Sequence, residues 1–165
     1  MCQDNSKGGF TLIELLVVVA IVGVLASVVL AALNSARSKG AEAAVKANLA
    51  NARNQAELVY EFNNSSYAGV CTNGLVGSTG IQGIGAQVLA AAKATGYATY
   101  GIDTPTTGIL PYSATCNQSA NAWAAEVPLS SSAPAPGRFW CVDNSGKSKE
   151  TAGRSLTASN DWTCQ

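Results

Sequence analysis

The chain has 165 residues, ten basic against ten acidic, no histidine and five cysteines. That length holds one ordinary domain with little room for a second, and the absence of histidine excludes Ser-His-Asp and Cys-His catalysis and every His-ligated metal site. Charged residues are only 12% of the chain, well below the ~25% of a typical soluble domain, and the formal balance argues against a protein that coats nucleic acid or anionic lipid.

A polar leader, Met1–Gly9, precedes Phe10-Thr11-Leu12-Ile13-Glu14, and from Leu15 to Leu33 there are 19 residues without a formal charge. At about 1.5 Å per residue this run makes roughly 28 Å of helix, the thickness of a bilayer's hydrocarbon core. A secretory signal would place its small-residue cleavage site after the apolar run. Here Gly8-Gly9 lies before it, so processing at that pair leaves the apolar segment on the mature chain. Glu14 breaks the pattern. A carboxylate within an apolar helix costs about 2.5–3.5 kcal/mol at the bilayer centre and less towards the interface, so a partner is expected. Cutting after Gly9 creates one, the Phe10 amine, and the free N–H groups of a first helical turn also favour an anion. A carboxylate that simply reaches the headgroups is the plainer alternative.

The helix is expected to continue into water. Val45, Leu49, Ala52, Ala56, Val59 and Tyr60 recur at helical spacing on one face, opposite Glu42, Lys46, Asn48, Arg53, Asn54 and Glu57. Asn63-Asn64-Ser65-Ser66 ends the run. A helix from Phe10 to Phe62 would be roughly 80 Å long, so its first half must be covered by lipid or by copies of itself. Arg37, Lys39, Lys46 and Arg53 read as a solvated helix face near headgroups. Positive charge beside a membrane segment favours the cytoplasmic side, in conflict with an exported head.

Beyond Tyr67 the composition shifts to Gly, Ser, Thr, Asn and Ala. Gln82–Ala94 reads as a short helix stopped at Gly96. Gly80-Ile81-Gln82-Gly83-Ile84-Gly85 reads as the turn that opens it, since no Lys-Ser/Thr follows to hold phosphate. Strands are predicted at Tyr97–Tyr100, Trp123–Leu129 and Phe139–Asp143, then a turn at Asn144-Ser145-Gly146 and a strand at Lys147–Glu150. The sheet should bury the Val45/Leu49/Val59 face, with Trp123, Phe139, Trp140 and Val142 packing on it as core rather than as carbohydrate-stacking residues. Ser130–Pro136 reads as an exposed loop. Asp103, Glu126, Asp143, Glu150 and Asp161 are scattered without partners at meaningful spacing, so no catalytic group, cofactor or metal site is implied. Cys2 lies in the leader, and Cys71, Cys116, Cys141 and Cys164 fit no common zinc spacing. Two disulfides in an oxidising compartment are expected, with three pairings open.

Lys7-Gly8-Gly9 followed by Phe10-Thr11-Leu12-Ile13-Glu14-Leu15-Leu16-Val17-Val18-Val19-Ala20-Ile21 resembles the class III leader and helix start of type IV pilins and type II secretion pseudopilins. The resemblance implies an α+β, pilin-like fold: one long N-terminal helix packed by its second half against a small antiparallel sheet, stapled by disulfides. It divides the chain into a cleaved leader (1–9), an apolar transmembrane and filament-core helix (10–33), an amphipathic continuation (34–62) and a head (63–165). Cleavage between Gly9 and Phe10 by a prepilin peptidase, N-methylation of Phe10, and pairing of Glu14 with a neighbouring subunit's Phe10 amine are implied. Gly23 falls in the segment that can unwind in filaments, although Ala31 stands where many pilins have proline. The pairings Cys71–Cys116 and Cys141–Cys164 are favoured, the second because pilins often close a C-terminal loop with such a bridge.

The same resemblance resolves the topology towards export, from the inner membrane to an extracellular pilus or a periplasmic pseudopilus. The partners it implies are the peptidase, copies of the chain or related pilins, the inner membrane and an assembly platform. DNA or a surface ligand has no direct support in the sequence. Three readings remain: a major or minor subunit of a type IV pilus, a pseudopilin of a type II secretion or DNA-uptake system, and a non-polymerising membrane-anchored surface-binding protein. None is an enzyme. Major pseudopilins often carry calcium-binding acidic loops, and the head has no D-x-D pattern, which tips the balance towards a pilin.

Overall fold

The computed structural model describes residues 9–97, 99–103, 113–129 and 137–165. Leader residues 1–8, Ala98 of the first predicted strand and the 130–136 loop therefore lie outside the described residues. Helix α1 runs Leu12–Phe62 without a break, through Gly23, Ala31 and Gly40. The chain divides into two compact units, one ending at Arg37 and the other beginning at Ser38. In the first, the large apolar residues from Leu12 to Leu33 are all exposed.

In the second unit α1 buries Val45, Leu49, Ala52, Ala56 and Val59, the face its periodicity marks out. Its end is set by local chemistry. Asn64 and Ser65 adopt φ of 53° and 55°, a left-handed conformation that stops a helix and that asparagine tolerates better than most residues. Asn63 Nδ2 donates to the Ser66 and Ala68 carbonyls, 3.0 Å each.

Helix α2 spans Gly85–Ala94, three residues later than the Gln82 start expected from sequence. The reason is a close approach of backbones. The N–H groups of Gly83, Ile84 and Gly85 donate to Gly74, Val70 and Thr72 carbonyls at 2.9, 2.7 and 3.0 Å. A Cβ on Gly83 would lie 2.5 Å from the Thr72 oxygen, so glycine is required where the strip packs.

The sheet contains β1 (Tyr100–Ile102), β2 (Ala114–Gln118), β3 (Trp123–Pro128), β4 (Arg138–Asp143) and β5 (Ser148–Ala152) in spatial order β1-β2-β3-β4-β5. β1 and β2 are parallel, and the remaining pairs form an antiparallel meander. The first strand starts at Tyr100 rather than Tyr97, because the Tyr97 N–H donates to the Ala92 carbonyl and finishes α2. β5 begins after Lys147, whose N–H and carbonyl both bond Asp143 in the preceding turn. β2 was not anticipated. Its inward residues are the small Ala114 and Cys116 and its outward ones the polar Thr115 and Asn117, all buried, so it carries no apolar alternation.

Side chains alternate between the two faces of a strand. Trp123, Ala125, Val127 and Val142 share one core with the α1 face and with Val88, Ala91 and Ala92 of α2, and Trp140 packs against it half-buried. Phe139 is the correction. The sequence places it beside Trp140 on the helix side, but as its chain neighbour it points to the opposite face, where Arg154 lies 5.3 Å above its ring. That second face also holds Ala124 and Cys141, covered by Leu156 and Cys164 of the C-terminal segment.

Two disulfides staple the head: Cys71–Cys116 links the strip before α2 to β2, and Cys141–Cys164 links β4 to the C-terminal segment. The acids that look unpartnered in sequence are partnered in three dimensions. Glu126 accepts from Arg154 at 3.0 Å and from the Ser155 and Leu156 N–H groups at 2.8 and 3.0 Å. Asp143 accepts from the Ser145, Lys147 and Cys164 N–H groups. Asp103 holds Gln118, Asp161 holds Thr157 and Ala158, and Glu150 pairs with Arg138. Of the basic residues of α1, Arg37 and Lys39 are exposed, whereas Lys46 and Arg53 are docked on the head. Lys46 sits 4.6 Å over the Trp140 ring, and Arg53 donates to Lys147 O and Ser148 Oγ on the rim of β5.

Candidate functional site

The start of α1 carries the residues that the sequence singles out. Phe10 is 89% exposed, and Gly9 and Phe10 lie ahead of the first helical turn. Thr11 occupies the N-cap position. Its N–H and its hydroxyl each donate to Glu14 Oε2 at 2.9 Å, and its Oγ1 accepts from the Glu14 N–H at 3.2 Å. This is a capping box: the first-turn carboxylate and the cap hydroxyl satisfy each other's backbone donors reciprocally. The helix then propagates from Leu12, with Leu15 N–H on the Thr11 carbonyl at 3.3 Å.

Glu14 therefore has a partner inside its own chain, besides the amine that its place in the apolar helix suggests. Thr11 is the missed residue, and its signal was present: a Thr three residues before a Glu ahead of an apolar run. The bonds fall on Oε2, and among the described residues Oε1 accepts none. A carboxylate offers about four lone-pair sites, so the cap leaves acceptor capacity for an amine. The apolar run that follows is long and apolar enough to cross a membrane, and its described residues are exposed. Gly23 lies inside the unbroken helix, and a Cβ there would meet nothing within 4 Å. Cys71, Cys116, Cys141 and Cys164 are all buried in the head. Among the described residues no cluster of His, Cys, Asp or Glu could hold a metal ion.

A long N-terminal helix packed on a mostly antiparallel five-stranded sheet, stapled by two disulfides, is a pilin-like α+β arrangement. Residues 4–30 match the family model described as the prokaryotic N-terminal methylation motif. That motif, with its class III prepilin leader, is typical of type IV pilins and pseudopilins, which are structural proteins and not enzymes, and the chain is a pilin- or pseudopilin-like protein carrying it. The motif implies processing by a prepilin peptidase, anchoring in a membrane and assembly into filaments. No curated protein and no solved structure matches the chain significantly.

Proposed function

We propose that the chain is a structural subunit of a type IV pilus, cut between Gly9 and Phe10, N-methylated at Phe10, held in the inner membrane by residues 10–33 and then polymerised through α1. The observation that carries this reading is the helix start. A carboxylate whose Oε2 caps its own helix, and whose Oε1 accepts no bond among the described residues, stands at the head of an apolar run whose described residues are exposed. Its free oxygen faces the new Phe10 amine of an adjacent copy at an axial step of about one helical turn, and the shared charge pair sets the offset between copies. The head's acids support a pilus over a calcium-binding pseudopilus, because Asp103, Asp143, Asp161, Glu126 and Glu150 are each committed to a protein donor.

Electron microscopy of sheared surface filaments with intact-mass analysis of their subunits tests the reading. Long filaments whose subunit begins at methylated Phe10 are expected, and Glu14→Ala should insert in the membrane but form none. Met1 retained on assembled protein, or normal filaments from the Glu14→Ala chain, would overturn it.

A further inference from the structure

Outside the apolar half of α1, three exposed hydrophobic side chains gather at one place in the head. Leu58 is 47%, Phe62 62% and Leu75 64% exposed. Beyond Arg37, the other large hydrophobic residue described as exposed is Ile102. Gln55, Leu58 and Phe62 follow one another at i, i+3 and i+7 and so share a stripe of α1. Gln55 Nε2 donates to the Gln82 carbonyl at 2.6 Å, and Gln82 is bridged to Leu75, which brings Leu75 to the edge of the same stripe.

The stripe has a counterpart. Glu42, Lys46 and Arg53 occupy the other flank of α1, roughly 170° away at 100° per residue, and their partners are Arg138 and Trp140 of β4, Ser148 of β5 and Lys147 just before it. The head therefore presents the apolar stripe on one flank of the helix and the free edge of β5 on the other. Among the described residues β5 pairs only with β4, and Lys149 on it and Lys147 just before it stand exposed. The stripe is acidic at its border. Glu61 is exposed between Leu58 and Phe62, and the last turn of α1 contains no basic residue, so the negative pole of the helix adds to it.

We infer that the Leu58/Phe62/Leu75 stripe of one copy docks against the β5 edge of a second copy, with Glu61 facing Lys149. The occupant is another copy of this chain because the stripe is bordered by Glu61 while the β5 edge offers Lys147 and Lys149, its Glu150 being paired with Arg138, and because the two surfaces lie on opposite flanks of one helix. A contact between unlike surfaces so placed is head-to-tail rather than a two-fold dimer, and repeated along α1 it extends an open filament. Burial of Leu58 and Phe62 contributes affinity, and the Glu61–Lys149 pair selects the register. The inference rests on the filament reading above and adds a contact between heads to the one between helices.

Benzoylphenylalanine placed at position 62 of the full chain, photolysed in assembled filaments, tests it. The expected product joins residue 62 to the 147–152 peptide of a second copy. An adduct elsewhere on the second copy, an adduct to a different protein, or none in filaments that do form would overturn the inference while leaving the pilus reading intact. Absence of any filament from the wild-type chain would overturn both. Charge exchange supplies the second readout. Glu61→Lys and Lys149→Glu should each cut filament number several-fold with unchanged melting, and the double variant should recover most of the loss. Two losses that simply add, without recovery, would exclude the pairing.

Discussion

Arg154→Met is the substitution whose consequence the head defines most sharply. Arg154 donates to Glu126 Oε1 at 3.0 Å, Thr115 Oγ1 at 2.8 Å, and Ser113 O and Oγ at 2.6 and 2.9 Å. Of the three described ion pairs it makes the one whose carboxylate is fully buried. Methionine fills much of the same volume but leaves Glu126 Oε1 without its cation, while Oε2 keeps the Ser155 and Leu156 N–H groups. Stranding one member of a buried pair costs about 3–5 kcal/mol. The two retained N–H bonds place this case near the lower end, about 3 kcal/mol, or roughly 10 °C of melting temperature for a domain of this size. Burial already pushes the Glu126 carboxyl above its ordinary value of 4.5, against the pull of the Leu156 and Ser155 N–H groups and of Arg154. Removing the guanidinium raises it further.

A carboxyl raised in the folded state contributes stability below its unfolded pKa and loses it as pH rises through the folded one. The deficit of Arg154→Met relative to wild type should therefore be largest near pH 7.5 and shrink as the pH falls towards 4.5. Denaturant unfolding of the full chain in micelles, followed by tryptophan fluorescence, measures both quantities. Adding Glu126→Gln should recover part of the loss at pH 7.5. A deficit below about 1 kcal/mol, or one that grows on acidification, would refute the reasoning.

Other perturbations follow from single contacts. Replacing Cys141 and Cys164 by Ser opens a link of sequence separation 23, worth about 3 kcal/mol on the chain-entropy model; a change under about 1 kcal/mol in the same unfolding assay would mean the hydrogen bonds of Asp143 and Glu126 hold the C-terminal segment alone. Gly83→Ala drives a Cβ to 2.5 Å from the Thr72 carbonyl and should cost about 1–3 kcal/mol. Gly74→Ala, whose Cβ meets only Thr72 Oγ1 at 3.9 Å, should stay within about 0.5 kcal/mol, and equal effects of the two would contradict the packing account. Thr11→Ala removes the capping box at a cost of about 1 kcal/mol. Amide exchange at the helix start in micelles should accelerate about fivefold, and unchanged exchange would show the box is not formed.

The features legible in the sequence are those written in neighbouring residues. A leader, an apolar run and a misplaced carboxylate mark the N-terminal motif, and a 3.6-residue period marks the face of α1 that is buried at Val45, Leu49, Ala52, Ala56 and Val59. Trp123 and Val127 mark β3, and Phe139, Trp140 and Val142 mark β4, so that Trp123–Pro128 and Arg138–Asp143 are legible to within a residue. The capping box was equally local, four residues from end to end, and could have been read.

What the tertiary structure alone decided depends on residues far apart in the chain. β2 is a strand because β1 and β3 bond to it and the C-terminal segment covers its polar face: Asn117 Nδ2 donates to the Ala158 and Asp161 carbonyls at 2.7 and 3.0 Å. No periodicity in Ala114–Gln118 could announce that. Phe139 and Trp140 are alike in composition, and only the register of β4 sends one under Arg154 and the other under Lys46. The acids look idle in sequence because their donors arrive from elsewhere, as Arg154 reaches Glu126 across the sheet face. Local propensity and periodicity are properties of adjacent residues and survive in a linear reading. Which buried polar groups meet is settled only when the strands pair and the chain end folds back over them.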